Sequence, residues 1–373
     1  MKKIKWIAKM LATLILFLIV VLVIRAYLDG KSNPKLMSWH KAGQIKELDY
    51  DEYDNIESYL TDEKKYLEKK YKEAEIKNGG SYNRYVRGSE SSPYGHKGKD
   101  VNLSFEMIPE NPKGGILMLH GLTGSPYSMR DIAKIFYNKG YYVLALRYPY
   151  HGTCPGELLN LNWKDFSKTA KFGAKIVKEK IQGIKNSKFY MLGYSTGATA
   201  TLQYITHDIN ENKELPKPDG IFWLSPAMGI DPLAKYVFLD ILISKIPGLN
   251  KFMWLDIYPQ YEMAKYNSFD KNSVEQVYTL IKESRKNLSK LTKKEKLELP
   301  PIYSYTSIQD ATVDPKELFN VLKEIRNKNN ELTIFDVNRK YNDLYKSKIQ
   351  KINFEKEVEE SKVIGDIIVV SNM

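Results

Sequence analysis

A serine lies at the centre of a G-x-S-x-G pentapeptide that follows an apolar run. Residues 193–197 read GYSTG, and residues 189–192 read FYML. A strand that ends in this pattern predicts a tight strand-to-helix turn, which lifts a serine hydroxyl above the edge of a sheet. Glycines flank the serine because the turn brings the backbone too close to its neighbours for a Cβ atom. We therefore interpret Ser195 as the nucleophile of an acyl-transfer reaction.

Backbone donors for the oxyanion of such a reaction are expected in the turn after an earlier strand. Residues 120–124 read HGLTG and directly follow the apolar run 115–119. A His-Gly turn at this point can aim a backbone N–H at the oxyanion, which predicts Leu122 and Thr196 as the two donors. We interpret the His120 side chain as holding this loop rather than acting as the base.

A carboxylate must orient the base, and Asp310 is the candidate. It follows a predicted strand at 302–306 and precedes a predicted helix, so it would lie beside the nucleophile. Asp314 is the alternative. Because Pro315 follows it, Asp314 is more typical of a helix N-cap.

The general base is the part that the sequence does not supply in the expected place. With the chain order Ser, Asp, His, the histidine should follow Asp310, but none does. The five histidines are His40, His96, His120, His151 and His207. His207 lies twelve residues beyond Ser195 on the predicted helix, roughly 18 Å away. His151 could approach the site from its loop and stays open as a base, although a His-Gly turn there more often shapes a pocket.

Strands and helices alternate through most of the chain beyond residue 100. The predicted strands are 115–119, 140–146, 189–192, 220–224, 302–306, 331–337 and 367–370. The predicted helices between them are 128–139, 163–180, 198–207 and 315–327. This alternation predicts an α/β fold with a mostly parallel sheet that is covered on both faces by helices.

The alternation breaks between Pro226 and Leu299. Helical patterns at 233–246 and 273–291 flank aromatic residues such as Trp254, Tyr258 and Tyr261. We predict a cap over the site at about 227–299, because these apolar side chains need something to cover. A plain structural excursion is the alternative.

The N-terminus carries a candidate membrane anchor. Four lysines within the first nine residues precede an uncharged stretch from Met10 to Ile24, long enough for a spanning helix. No small-x-small cleavage site follows, so we favour an uncleaved anchor at 1–28 over a signal peptide. The basic tail favours an extracytoplasmic domain, although Arg25, Lys31 and Lys35 reduce the charge asymmetry. Residues 29–100 are predicted to form a polar tether and an amphipathic helix at 51–77, lying on the domain or serving as a stalk.

Composition excludes several other classes. The 373 residues carry a net charge of +12, yet no basic stripe is interleaved with aromatics, so nucleic acid is not an expected partner. Cys154 is the single cysteine, so no internal disulfide forms. No histidine pair has metal-ligand spacing and no phosphate-binding loop is present, so neither a metal nor another cofactor is expected.

Five motifs together resemble the serine aminopeptidase-like (S33) α/β hydrolases, in particular bacterial lysophospholipase- or carboxylesterase-type members with an N-terminal membrane anchor. The motifs are HGLTGSPYSMR (120–130), ALRYPYHGT (145–153), GYSTG (193–197), KYNSF (265–269) and DATV (310–313). The resemblance covers roughly residues 82–340 and implies an α/β-hydrolase domain at 101–373. It also implies Ser195 as nucleophile, Asp310 as acid, and Leu122 and Thr196 as oxyanion donors.

The chain departs from the family at the histidine. Where many relatives carry it, after the last core strand, residues 337–342 read VNRKYN. Either a C-terminal segment is lost or the fold never had a triad. We expect a membrane-anchored serine hydrolase acting on carboxylic esters, above all of a lipid or lysolipid. The alternatives are an inactive hydrolase fold that serves as a binding or scaffold protein, and an acyltransferase.

Overall fold

The computed structural model describes residues 2–77, 79–95, 100–211, 215–229, 234, 236–310, 312–337 and 364–371. Its strands are β1 (Phe105–Met107), β2 (Gly114–Leu119), β3 (Tyr141–Leu146), β4 (Lys188–Tyr194), β5 (Gly220–Leu224), β6 (Trp254–Asp256), β7 (Phe269–Asp270), β8 (Ile302–Ser307), β9 (Glu331–Asp336) and β10 (Asp366–Ser371). Its helices are α1 (Lys2–Ser32), α2 (Ile56–Ala74), α3 (Arg130–Asn138), α4 (Trp163–Lys180), α5 (Thr196–Glu211), α6 (Val237–Ser244), α7 (Lys271–Lys290), α8 (Lys293–Leu297) and α9 (Pro315–Ile325).

One large sheet organises the described residues. Its strand order is β1-β3-β2-β4-β5-β8-β9-β10, and all neighbours are parallel except β1, which runs antiparallel to β3. This confirms the predicted mostly parallel sheet. The antiparallel edge strand β1 was not predicted, since its three residues carry too little pattern to be recognised. Because the strands are parallel, the loops after β2, β4 and β8 leave the sheet at the same edge.

Both faces of the sheet are covered. Along β2, Ile116 and Met118 pack on one side with α3, while Leu117 and Leu119 pack on the other with the core that includes α4 and α5. All six β2 residues are buried, which explains why the strand reads as a continuous apolar run rather than an alternating one. The α/β-hydrolase fold class is thus confirmed.

Local capping explains where several helices begin. Asn162 accepts a hydrogen bond from the Lys164 N–H at the start of α4, and Asp165 closes a capping box with it. Asp314 accepts from the Lys316 N–H at the start of α9, with Pro315 in the first turn. This confirms the interpretation of Asp314 as an N-cap.

Helix α2 lies on the domain and is not a free stalk. Tyr59 and Leu67 are 1% and 2% exposed, and Tyr59 belongs to the same core as the central strands. Glu63, also on α2, forms a buried ion pair with Arg147 of the loop after β3. The sequence left open whether this helix lies on the domain or serves as a stalk, and in the structure it lies on the domain.

The predicted cap divides into two parts. Helix α7 buries Val277, Leu280 and Leu288 in the main core, so it belongs to the helical layer of the sheet. Residues 236–270, which we name the cap segment, instead carry α6 and the small β6–β7 ladder. The α7 part of the region predicted as a cap at 227–299 therefore lies in the core, and for the part before α7 a cap stays a prediction. Within the predicted helix 233–246, Val237–Ser244 is helical, and residues 233 and 235 lie outside the described residues.

Helix α1 is apolar, exposed over most of its length and docked at its end. Its most apolar 18-residue window has a mean hydropathy of 3.0 and none of that window is buried. By length and composition it could cross a membrane, and a signal sequence has the same properties. Near its C-terminal end, however, Ala26 is fully buried against Leu249 and Phe252 of the cap segment.

Candidate active site

Ser195 lies at the junction of β4 and α5 in a strained backbone conformation. Its φ angle is +53°, in the left-handed region that few non-glycine residues adopt, and its side chain is half-buried. A serine held in this conformation between a strand and a helix is the geometry of a nucleophile elbow.

Two glycines make the elbow possible. A Cβ atom on Gly193 would overlap the backbone of Gly197 and Ala198, and one on Gly197 would overlap the carbonyl oxygen of Leu119. The turn is therefore packed directly against the end of β2, and the sequence pattern reflects this close approach rather than flexibility.

Hydrogen bonds fix the elbow to the end of β5. The Ser195 N–H donates to Leu224 O at 2.9 Å, and the Ala227 N–H donates to Ser195 O at 3.2 Å. Because both backbone groups of Ser195 are engaged, the strained conformation is held by the surrounding structure and positions the hydroxyl.

The predicted oxyanion loop lies against the elbow. A Cβ atom built on Gly121 would be 3.3 Å from the Ser195 Cβ, so this glycine permits close approach of the two segments. Leu122 follows in the same loop, and its N–H donates to no acceptor in the described part of the chain. Thr196 is the first residue of α5, where a backbone N–H has no acceptor within the helix. The structure thus brings the loop and the elbow together, and the roles of Leu122 and Thr196 as oxyanion donors stay a prediction.

Tyr266 connects the loops around the site. Its N–H donates to Thr123 O at 2.9 Å, and its hydroxyl accepts from the Thr153 N–H at 2.8 Å. The hydroxyl also lies 3.1 Å from Tyr150 O, to which it donates. The sequence indicated Tyr266 only as part of the KYNSF motif that carries the family resemblance, and nothing local marked this contact.

His120 is fully buried and holds the oxyanion loop. Its Nδ1 lies 2.8 Å from Gly121 O, and its Nε2 lies 3.2 Å from the Tyr148 backbone nitrogen. Burial keeps the pKa of His120 well below the ordinary histidine value, so the ring is neutral at pH 7. The neutral tautomer donates from Nδ1 to Gly121 and accepts at Nε2 from Tyr148, which leaves no ring nitrogen for Ser195.

His151 is also buried and neutral. Its Nδ1 lies 2.8 Å from Pro149 O, and burial lowers its pKa to about 4. Its Nε2 is buried with no hydrogen-bond partner in the described part of the chain. In the tautomer protonated at Nδ1, Pro149 O accepts that proton and Nε2 is unprotonated; Nε2 forms no hydrogen bond with Ser195 in this structure.

The remaining histidines lie elsewhere. His40 Nε2 is 2.9 Å from the hydroxyl of Ser268, a buried residue of the cap segment. His207 is on α5, roughly 18 Å along the helix from Ser195. His96 lies outside the described residues. No histidine of the described residues therefore hydrogen bonds to the Ser195 hydroxyl.

The pKa of His40 leads to a testable pH dependence. Burial lowers this pKa from 6.5 to about 4, so the folded protein holds His40 neutral while the unfolded chain protonates it below about pH 6.5. The stability that depends on neutral His40 is therefore complete above pH 6.5 and declines as the pH falls towards 4. We expect His40→Gln to destabilise the protein at pH 7.5, and this difference to shrink by about 2 kcal/mol at pH 4.5.

Chemical denaturation of both proteins at several pH values measures that difference. The comparison must be between variants, because Asp165 and Asp270 have pKa values raised to about 6 by burial. Those carboxyls stabilise the fold as the pH falls and oppose the histidine effect in either protein alone. A difference between the two proteins that is independent of pH would contradict the prediction.

Asp310 follows β8 in a tight turn. One of its carboxylate oxygens accepts from the N–H groups of Thr312 at 2.9 Å and Val313 at 3.1 Å. The carboxylate is half-buried, and these two bonds hold one oxygen while no described residue bonds to the other. Strand β8 is separated from β4 only by β5, so Asp310 and Ser195 leave the same edge of the sheet two strands apart.

Arg147, which our sequence analysis did not single out, anchors the loop after β3. It is fully buried, with ion pairs to Glu47 at 2.9 Å and Glu63 at 2.8 Å, and it donates to His151 O at 3.1 Å. Burial acts to raise the pKa of both carboxyls. At Glu47, the charge of Arg147 and the hydrogen bonds to the carboxylate outweigh burial, so the pKa is lowered. At Glu63, burial outweighs the same kinds of interaction, so the pKa is raised. The sequence signal for this role was a charged residue directly after the apolar run 142–146, whose five residues are all buried.

Among the described residues, no three His, Cys, Asp or Glu side chains form a group that could hold a metal ion.

Comparison with known sequences decides the family. The profile of the family described as "Serine aminopeptidase, S33" matches residues 110–336, which is more than half of the chain. The chain belongs to the serine aminopeptidase S33 family. The matched range runs from just before β2 to the end of β9, so it contains the oxyanion loop, the elbow and Asp310.

Similar proteins are lipases and esterases. The thermostable monoacylglycerol lipase of Bacillus sp. (strain H-257) is 33% identical over 98 residues, which are 26% of this chain and 37% of the lipase. The chain thus matches little more than a third of that relative's length.

Solved structures resemble the S33 chain at low identity. A metagenome-derived lipolytic enzyme has a TM-score of 0.46 and 19% identity, covering 63% of this chain and 87% of the other. The monoacylglycerol lipase of Paleococcus ferrophilus has a TM-score of 0.43 and 16% identity, covering 69% and 99%. A soluble variant of the Saccharomyces cerevisiae monoglyceride lipase has a TM-score of 0.43 and 15% identity, covering 62% and 81%.

Proposed function

We propose that this S33 chain is a membrane-anchored serine hydrolase that cleaves carboxylic esters of a lipid or lysolipid. The observation that carries the proposal is the elbow: Ser195 has a φ of +53° and contacts an oxyanion loop through Gly121. The proposal follows because this combination presents a serine hydroxyl beside backbone N–H groups that have no acceptor among the described residues.

The chemistry would proceed through an acyl-enzyme. Ser195 Oγ attacks the ester carbonyl carbon while its proton passes to a general base, and the carbonyl oxygen becomes an oxyanion. The N–H groups of Leu122 and Thr196 are the proposed donors to that oxyanion. The alcohol leaves with the proton, and water then hydrolyses the ester on Ser195. Asp310 is the proposed carboxylate that orients the base.

A lipid ester is the substrate class that we favour. The 33% identical relative is a monoacylglycerol lipase, and the cap segment exposes large apolar side chains. Tyr258 and Tyr261 are 54% and 55% exposed there, and Tyr194 beside the nucleophile is 41% exposed. Such surfaces suit an acyl chain better than a charged peptide.

Helix α1 is proposed as a permanent anchor with the hydrolase domain on the extracytoplasmic side. The support for an anchor is the packing of its last turns, since Ala26 is fully buried against Leu249 and Phe252. A signal peptide is removed from the mature protein and gains nothing from such a contact. The four lysines before the apolar stretch support the orientation.

Asp310→Asn and Asp314→Asn together test the proposed reaction. We expect Asp310→Asn to reduce oleate release from 1-monooleoylglycerol at least about 100-fold, because an amide cannot stabilise a protonated base. Asparagine retains a carbonyl oxygen for the Thr312 and Val313 N–H groups, so the fold should persist. Asp314→Asn should leave turnover within about two-fold, since asparagine is an equally good N-cap.

Oleate release at fixed substrate concentration, with thermal unfolding as the check on folding, measures both variants. Equal turnover in the wild type and Asp310→Asn would remove Asp310 from the mechanism. If the protein hydrolysed an amino-acid p-nitroanilide but not the ester, the proposed activity would be that of an aminopeptidase and not of an esterase.

An inactive hydrolase fold that binds a ligand or partner is the second candidate. The observation that favours it is that no histidine of the described residues hydrogen bonds to Ser195, whereas serine hydrolysis requires a base. This candidate predicts a folded protein that neither turns over esters nor reacts with a fluorophosphonate probe at Ser195.

A further inference from the structure

A basic cleft lies where α1 meets the cap segment. Lys35, Lys41, Lys245 and Lys251 surround a cavity of about 490 Å³, and we name this feature the basic cleft. Two of these lysines belong to the tether after α1, and the other two follow α6. The cleft is therefore assembled from segments distant in the chain.

Most of this positive charge is unpaired. Lys35, Lys41 and Lys245 are exposed, and none of them forms an ion pair with a carboxylate of the described residues. Lys251 is half-buried, and its ammonium donates to Gly30 O at 3.0 Å and Asn33 O at 2.9 Å. Four cations around one cavity repel one another, and an anion bound between them would relieve that repulsion.

The cleft has an apolar floor beside its charged rim. Leu36, Met253 and Trp254 line it, and Trp254 is 3% exposed. A small inorganic anion would make no use of these side chains, whereas an amphiphile would contact both rim and floor. The arrangement therefore fits a ligand with an anionic head and an apolar body.

An apolar stripe continues from the cleft along the cap segment. Phe238, Leu242 and Ile246 are spaced four residues apart on and just after α6, and they are 44%, 57% and 43% exposed. Helix α6 itself packs against the end of α1 through Ile243. The stripe and the cleft thus lie next to the point where the proposed anchor ends.

We propose that the basic cleft binds the phosphodiester headgroup of an anionic phospholipid, with the α6 stripe contacting the acyl region of the same leaflet. The shared chemistry is an oxyanion of phosphate, and the apolar floor and the adjacent anchor select a lipid as its source. Lysines beside a membrane helix attract anionic lipids electrostatically. This proposal rests on the membrane anchoring proposed above, and it adds the class of lipid that the anchored protein binds.

Native mass spectrometry of the full chain from detergent tests the proposal. The probes are dioctanoyl phosphatidylglycerol, dioctanoyl phosphatidylcholine and inorganic phosphate at equal concentrations. We compare the wild type with Lys35→Gln/Lys41→Gln/Lys245→Gln, which removes three exposed ammonium groups. The matched control is Lys64→Gln/Lys139→Gln/Lys293→Gln, which removes three exposed lysines elsewhere.

We expect one phosphatidylglycerol per wild-type chain, bound more tightly than phosphatidylcholine and not displaced by phosphate. The cleft variant should bind it at least about 10-fold more weakly, and the control within two-fold. Equal binding in both variants, or no preference for phosphatidylglycerol, would overturn the proposal, and displacement by phosphate would identify a free anion as the ligand. The single variant Lys245→Glu gives the same test if the triple variant is unstable.

The same spectra separate this proposal from the function on which it rests. The intact mass reports whether α1 is retained, so a cleaved anchor is seen directly. Binding requires no hydrolysis, and we expect it unchanged in Ser195→Ala. Loss of esterase activity therefore leaves the lipid result intact, and loss of lipid binding leaves the esterase result intact.

Discussion

Replacing Ser195 by alanine should reduce p-nitrophenyl butyrate turnover at least about 10³-fold. The nucleophile acts as a unit with its base and oxyanion donors, so its loss removes the acyl-enzyme route entirely. The fold should be retained, because the strained backbone at φ +53° is held by the bonds to Leu224 and Ala227 and not by the hydroxyl. Initial rates with equal amounts of folded protein measure the effect.

Ser289→Ala is the matched control, since Ser289 is an exposed serine on α7. It should turn over the ester at the wild-type rate. A fluorophosphonate probe adds a reading independent of deacylation, because it marks a nucleophilic serine without needing water to complete a cycle. Labelling of the wild type without turnover would indicate a nucleophile whose deacylation fails.

Equal background rates in wild type and Ser195→Ala, without labelling of either, would contradict the hydrolase proposal. The binding-protein candidate would then be the better account. Turnover that is lost in Ser195→Ala would instead require a base, and His151→Gln would then ask whether the unpartnered His151 Nε2 supplies it.

The second large effect is expected on stability. Arg147→Met should lower the free energy of unfolding by about 3–5 kcal/mol, because it leaves the Glu47 and Glu63 carboxylates buried without a counter-charge. Such a loss is a large part of the total stability of a typical domain. It should also release the loop after β3, since Arg147 donates to His151 O. Urea denaturation monitored by tryptophan fluorescence measures it.

Two further variants locate the cause of that loss. Arg87→Met removes an exposed arginine paired with Glu75 and should cost less than about 0.5 kcal/mol. The triple variant Glu47→Gln/Glu63→Gln/Arg147→Met removes all three charges and should recover at least half of the loss. If the triple variant were as unstable as Arg147→Met, lost packing and not the uncompensated charge would be responsible.

Local patterns in the sequence were sufficient to predict the turn at Ser195 and the strands of the sheet. Gly193 and Gly197 predicted a turn with close backbone approach, and the structure has both glycines against backbone atoms. The continuous apolar run at 115–119 predicted a buried strand; the observed strand begins one residue earlier, at Gly114, and all six of its residues are buried. Such features depend on sterics and burial within a few residues, which is why they can be recognised in one chain.

Features that join distant segments could not be predicted in this way. Arg147 meets Glu47 and Glu63 across about 100 and 84 residues of chain, and nothing local marks those glutamates as buried partners. The amphipathic pattern of α2 was compatible with a stalk or a packed helix, because amphipathicity reveals an apolar face but not what covers it.

The sequence by itself therefore determined the strand-to-helix turn at Ser195, the loop that packs against it and the α/β class, because each depends on residue types at short spacing. The chemical roles of Ser195, Leu122 and Thr196 stay predictions. The sequence also revealed that no histidine follows Asp310. Only the tertiary structure decided that Tyr266 links the loops around Ser195, that α7 belongs to the core, and that α1 docks on the cap segment. Those relations depend on which surfaces meet, and burial of apolar area selects partners without regard to their separation along the chain.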